Sequence, residues 1–475
     1  MVPLVLALTL TLTFALVLVS CMCQHRVQTL WFEQRVDHFD RTDARTWYQR
    51  YYASTQYIGS STNPIVFFEL GWEAPLEPAQ VELDTFLWRA AKTHKGLFVS
   101  AEHRFFGQSQ PLNGTLPDSE LGLVTTEQAL ADFAQLIVAL NDRFRFGAPL
   151  RVIVSGCSYS GELAAMMRTK YSHLVAAAVA GSPNAKNMVA DMNLFFPHSV
   201  RAITYVQNDN GACVKRIAEA NQALFNLTSS AAGLKIVSQM FLTCTPLSNP
   251  KDVAHFFALL LNAWYWANIM FDAPATYLGR FTISEACPIL TNTTLSALEQ
   301  YAVIYGTTLG ASPCFSTDYT AYVTFMKQST SIDNRPLLFE VCNELGSFLT
   351  TTGSGSPWVG VSIDYYRRMC KDVFDIDVTD ELVQWTFGAH YGLDRLGEDI
   401  EGPSNVLVVN GMFDGGWPYA LQNSSTPGVS VINVQCGHCG FAGALSANPQ
   451  IAAKQQEIAQ QIDNWVKAMN VSASK

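Results

Sequence analysis

From Pro64 onward the chain alternates short apolar runs with stretches of helical spacing. Ile65 to Leu70 is an apolar run that stops at Gly71, and Gly96 to Ala101 is a second. Thr125 to Phe144 carries Leu, Ala and Phe at helical intervals. Arg151 to Ser155 reads as a strand, Glu162 to Tyr171 as a helix, and Ala176 to Ala180 as a strand ending at Gly181-Ser182-Pro183. Continuous apolar strands separated by helices predict a mostly parallel sheet covered on both faces.

The pattern changes near Asn187. Cys213 to Leu227, Val253 to Ala267 and Leu295 to Tyr305 have helical spacing, and strand-like runs return only at Asn405 to Val409 and Val429 to Val434. A last amphipathic helix runs from about Pro449 to Met469. This organisation predicts an α/β domain, residues 24–186 and 394–475, interrupted by a helical insertion over residues 187–393. The insertion is too long for an ordinary loop.

Composition narrows the function classes. Of 475 residues, 49% are hydrophobic and 15% charged, which is globular rather than disordered. A net charge of −10 with no Lys/Arg cluster argues against nucleic acid or an anionic membrane as partner. Pro3 to Met22 is almost entirely apolar or Thr and is read, with residues 1–23 as its extent, as a secretory signal. The alternative is an N-terminal anchor, because the run is nearly long enough to span a bilayer. With the signal removed, no other stretch is apolar enough to enter a membrane. Eleven cysteines and sequons at Asn113, Asn226, Asn292, Asn423 and Asn470, in polar surroundings typical of loops, agree with a secreted or lysosomal destination and with disulfides.

The stretch Val152 to Ala165 runs from strand through a glycine-flanked turn into helix and contains Ser155, Ser158 and Ser160. A nucleophile elbow requires small residues two before and two after the nucleophile, because its strand and helix pack closely. Ser155 has Ile153 before it, and Ser160 has Glu162 after it; only Ser158 is flanked by small residues, Gly156 and Ser160. Chain order supplies its partners. In an α/β-hydrolase the acid follows the nucleophile and the histidine follows the acid. Asp414 follows the late strand, and His438 is the single histidine beyond it. The expected triad is Ser158, Asp414 and His438, with the backbone N–H of Tyr159 and that of Gly71 or Trp72 facing the oxyanion.

Other histidines have plainer readings: His103 as a buried hydrogen-bonded residue, His390 in a surface or hinge loop. Cys436 and Cys439 bracket His438, but further zinc ligands and a thioredoxin pattern are both lacking nearby. They are expected to be a disulfide or a pair of small buried residues, and Cys157 a core thiol. No metal or cofactor is expected.

Gln34-Arg-Val-Asp-His-Phe39, Ala101-Glu-His-Arg-Phe-Phe-Gly107, Gly156-Cys-Ser-Tyr-Ser-Gly-Glu-Leu-Ala-Ala165, Cys342-Asn-Glu-Leu-Gly346 and Asn410-Gly-Met-Phe-Asp414 occur in this order. In these motifs the chain resembles the proline-specific serine peptidases, the family of lysosomal Pro-X carboxypeptidase, dipeptidyl peptidase II and the thymus-specific serine protease. The resemblance implies an α/β-hydrolase core with a helical, disulfide-stapled cap, and cleavage of short peptides after proline or a similar small residue near a chain end. It also implies disulfides Cys213–Cys287, Cys244–Cys314 and Cys342–Cys370, and Glu344 as a pocket residue; short peptides are the expected partners, with a homodimer left open.

The sequence departs from the family pattern at Gly71-Trp-Glu-Ala74, at Asp414-Gly-Gly-Trp417, at Cys439-Gly440 and at Glu162, where relatives often have a small or apolar residue. Glu162 is read either as a helix-dipole partner or as a carboxylate near the substrate. Glu73, Glu162, Glu344 and Trp417 are the candidate substrate-binding residues. Carboxylates favour an enzyme that holds a free amine, a dipeptidyl peptidase, over a carboxypeptidase. An esterase or lipase, or a non-catalytic secreted binding protein, are the alternatives on the same fold.

Overall fold

The computed structural model describes residues 27–58, 64–82, 85–144, 150–184, 189–269, 281–308, 312–328, 334–386 and 404–472. The signal segment, His390 and the expected division points near residues 187 and 393 lie outside these.

Eight strands form one sheet: β1 (Gln28–Arg35), β2 (Thr46–Ser54), β3 (Ile65–Leu70), β4 (Leu97–Ala101), β5 (Arg151–Cys157), β6 (Val175–Gly181), β7 (Val406–Gly411) and β8 (Val429–Val434). Their order is β1-β2-β4-β3-β5-β6-β7-β8. β1, β2 and β4 pair antiparallel, and every pairing from β4 to β8 is parallel. β3 and β8 occupy the runs the apolar pattern marks out.

Alternation along each strand divides the core between the two faces of the sheet. Val66, Phe68 and Leu70 of β3 face one cluster, which includes Leu130, Phe133 and Ile137 of α2 (Thr126–Phe144) and Leu163 and Met166 of α3 (Tyr159–Lys170). Ile65 and Phe67 face the other, with Leu87 and Trp88 of α1 (Phe86–His94) and Ile458, Ile462 and Trp465 of the C-terminal helix Pro449–Ser472.

From Phe195 to Val383 the described elements are helical. Their aromatic interior, around Trp264, Trp358, Tyr301 and Tyr305, belongs to the same apolar cluster as the α2–α3 face of the sheet. Cys213–Cys287, Cys244–Cys314 and Cys342–Cys370 are bonded within this layer. The molecule is thus an α/β-hydrolase fold with a disulfide-stapled helical cap.

The antiparallel β1–β2 pair is absent from the apolar pattern for a physical reason: β2 buries Gln49 and Arg50. Arg50 bonds Glu102 at 2.7 Å, and Gln49 donates to the Glu102 carbonyl and accepts from Gln34. The motifs Gln34 to Phe39 and Ala101 to Gly107 meet here. Arg104 holds Asp132 with two hydrogen bonds, at 2.6 and 2.9 Å, and Asp132 also contacts His38 at 2.6 Å. Burial works against the Asp132 charge, but Arg104 and His38 outweigh it and hold its carboxyl below the usual range. These charged residues brace the sheet's antiparallel end, and their charges are neutralised by one another.

Candidate active site

β5 delivers Ser158 to a turn that only an over-determined backbone holds. Ser158 has φ +63° and ψ −133°, a region that costs a non-glycine residue about 1–3 kcal/mol. Its N–H donates to the Gly181 carbonyl at 2.9 Å, and its carbonyl accepts from Gly161 and Glu162. A side chain on Gly156 would run into Ser160, and one on Gly161 into the Gly181 carbonyl. Ser160 is small enough to fit, and its hydroxyl closes the turn by accepting from Cys157 N–H at 2.9 Å and donating to the Cys157 carbonyl at 2.8 Å. Serine at this position therefore replaces glycine with two added hydrogen bonds.

Asp414 follows β7 and His438 follows β8. His438 Nδ1 lies 2.6 Å from Asp414 Oδ2, and the Gly416 N–H donates to Asp414 Oδ1 at 2.8 Å. Burial lowers the His438 affinity for a proton, but the Asp414 charge and hydrogen bond outweigh it, so its pKa is raised. Asp414 moves the opposite way: burial raises it, and His438 with the Gly416 N–H brings it below its ordinary value. Ser158, Asp414 and His438 line one cleft of about 90 Å³.

Of the other expected residues, Tyr159 opens α3 with its side chain buried among Thr126 and His103. Gly71 packs against Ala101 and His103 so tightly that a Cβ has no room there, which holds the β3 loop close to the end of β4. Trp72 is half-buried on that loop. Glu73 has a buried Oε2 without a hydrogen-bond partner and is electrostatically coupled to His438; burial raises its pKa. Glu162 is buried in the first turn of α3, accepts from Asn184 N–H at 3.0 Å, and is pushed up to about 8 by burial. Glu344 is buried, and its Oε2 accepts the Thr126 N–H at the start of α2. Trp417 stacks near His198 beside the cleft residue Gly416.

Residues the motifs do not reveal form the rest of the cleft: Met192, Phe195, Tyr265 and Leu349 supply apolar wall, Asn184 and Ser347 polar rim. All except Asn184 come from the helical layer or its connections, where apolar residues look like ordinary core. His103 is buried as expected, its Nδ1 on the Arg104 carbonyl. Two cysteine expectations need correction. Cys157 is not a thiol but is bonded to Cys439, 282 residues away, and Cys436 is buried outside the disulfides. Cys436 lies in the core with Val434 and Phe441. The sequons at Asn113, Asn226, Asn292, Asn423 and Asn470 are all exposed, although Asn226 and Asn470 sit on helices, not loops.

The fold and this cleft define a hydrolase of the α/β type that works through serine. The chain belongs to the family described as serine carboxypeptidase S28, whose model matches residues 34–458, and it is a serine-type peptidase. Lysosomal Pro-X carboxypeptidase of Mus musculus is 26% identical over 438 residues, covering 87% of this chain and 83% of that protein. Thymus-specific serine protease of Mus musculus is 27% identical over 469 residues, covering 94% and 88%. Among solved structures, proline iminopeptidase of Mycobacterium smegmatis aligns over 92% of this chain and all of its own, at 12% identity and a TM-score of 0.36.

Proposed function

We propose that this protein is a secretory-pathway exopeptidase in which Ser158 attacks the peptide carbonyl, His438 takes and returns the proton, and Asp414 orients the imidazole. The observation that carries this reading is the meeting of the strained Ser158 turn and the His438–Asp414 pair in one cleft. The Tyr159 N–H and that of Gly71 or Trp72 stabilise the oxyanion, and water then hydrolyses the acyl-enzyme. The helical layer, whose described elements run from Phe195 to Val383, caps the core and limits entry to chain ends. The apolar walls of Met192, Phe195, Tyr265 and Leu349 suit proline or a similarly small residue at the scissile position.

Glu73 and Glu162 favour the amine end. Glu73 keeps a buried Oε2 without a hydrogen-bond partner, Glu162 is buried, and the two carboxyls are electrostatically coupled. A free substrate amine stabilises the ionised form of such carboxyls and pairs with it; a substrate carboxylate gains no such partner. The signal segment, the exposed sequons and the four disulfides support passage through the secretory pathway to the lysosome or cell exterior. The relatives named lysosomal agree with that route.

The test is a set of matched short peptides, with and without proline at the second residue, each with free or blocked ends, read by mass spectrometry. Loss of cleavage on acetylating the amine, but not on amidating the carboxyl end, is the expected result. Cleavage inside doubly blocked peptides contradicts an exopeptidase.

A further inference from the structure

The disulfide between Cys157 and Cys439 occupies a position that the fold alone does not require. Cys157 is the residue before Ser158, and Cys439 is the residue after His438. Their strands are not neighbours: β6 and β7 lie between β5 and β8. At about 4.8 Å per strand the two loops spring from points roughly 14 Å apart, so they must lean together over the ends of the intervening strands. The Cα atoms of the two cysteines end 6.0 Å apart.

The surroundings are built for this crossing. Gly181, the last residue of β6, lies beneath it, and a Cβ there would approach Cys157 Sγ at 2.8 Å and Phe441 at 3.0 Å. Cys439 has φ +58°, a left-handed backbone uncommon for a residue with a Cβ. It is held there by the disulfide and by an N–H bond to Ser182 Oγ at 3.3 Å. Among the described hydrogen bonds of His438, only the one to Asp414 fixes its side chain. Asp414 sets the ring's orientation but not its distance from Ser158.

We propose that the Cys157–Cys439 disulfide is a positioning element of the catalytic apparatus, which fixes His438 against Ser158, and that its reduction switches the enzyme down. This rests on the triad reading above. The step is a thiol–disulfide exchange with a dithiol. The Cys157–Cys439 S–S bond breaks, each sulfur takes up one electron and one proton, and the dithiol is oxidised to its own disulfide. Both cysteines are partly exposed, so a small dithiol has access. A displacement of about 1 Å between nucleophile and base lowers the chemical step roughly 100-fold without touching the walls that bind substrate.

The experiment uses the full secreted protein and the rate of labelling by a fluorophosphonate, with peptide kcat and KM alongside. Cys157→Ala/Cys439→Ala is expected to lose about 10- to 100-fold in labelling rate and in kcat, with KM changed less than about threefold. A purely structural tie lowers thermal stability but leaves kcat per folded molecule intact. Dithiothreitol is expected to slow the wild type to the level of the double variant, reversibly on addition of oxidised glutathione. It is expected to leave the double variant unaffected, whereas Cys244→Ala/Cys314→Ala keeps the dithiol response.

If the double variant does not fold, partial reduction of wild type with alkylation mapped by mass spectrometry replaces it. Labelling loss then tracks alkylation at Cys157 and Cys439. Wild-type labelling rate in the folded double variant, or in protein alkylated at those two residues, overturns the proposal. The functional reading stands or falls separately, on Ser158-dependent labelling of the oxidised wild type.

Discussion

Replacing Glu162 with glutamine should make the protein more stable at neutral pH and leave it unchanged at acid pH. Glu162 is 4% exposed, its Oε1 accepts the Asn184 N–H, and burial pushes its pKa from an ordinary 4.5 to about 8. A carboxyl raised in the folded state opposes folding once the unfolded chain would ionise it. Its neutral form is favourable below pH 4.5, and stability is lost as pH rises from there through 8. With those two values the penalty is negligible at pH 4 and about 3 kcal/mol at pH 7, reaching roughly 5 kcal/mol above pH 8. Glutamine keeps the acceptor and never ionises. For a chain of this length 1 kcal/mol corresponds to about 1 °C, so the thermal midpoint of Glu162→Gln should gain about 3 °C on wild type between pH 4 and pH 7. Glu69, pushed up to about 7 by burial, bends both curves alike and cancels in the difference. Parallel curves for the two proteins across that range refute the reasoning.

Further expectations follow from the same contacts. Ser160→Gly should keep labelling and lose about 1 kcal/mol, while Ser160→Val, which strands the Cys157 N–H and crowds the turn, should lose about 3 kcal/mol and most labelling; unfolding and probe assays separate them. Arg104→Met leaves Asp132 buried beside His38 alone and should cost about 3–5 kcal/mol in denaturant unfolding. Asp414→Asn should lower kcat about 10³- to 10⁴-fold. Activity needs neutral His438 and so falls as pH drops through its raised pKa; without the Asp414 charge that limb of the kcat/KM profile should move to lower pH.

What the sequence reveals is what chain-local physics controls. The strand runs of β3 and β8 are short segments dominated by Val, Ile, Phe and Leu, and the elbow is legible because Gly156, Ser158 and Ser160 satisfy a steric rule within five residues. Asp414 and His438 are legible by order, since strands precede both. The β1–β2 pair is not, because its buried Gln49 and Arg50 are stabilised by Glu102, far along the chain. The Cys157–Cys439 bond is hidden by its 282-residue separation, and the neighbouring Cys436 invites the wrong pairing. The partner that Glu344 takes, the Thr126 N–H at the start of α2, is likewise hidden by 218 residues of separation. The cleft walls stay silent because Met192 and Phe195 are apolar residues among many in a helical layer.

The central claim is that Ser158, made reactive by His438 and Asp414, performs the chemistry. Exposing the purified protein to a fluorophosphonate tests it most directly, with Ser158→Ala shown to be folded by its circular dichroism and melting curve. Covalent labelling of the wild type, mapped by mass spectrometry to Ser158 and absent from the variant, is the predicted result. Labelling that persists in Ser158→Ala, or a folded wild type that never labels, contradicts the account.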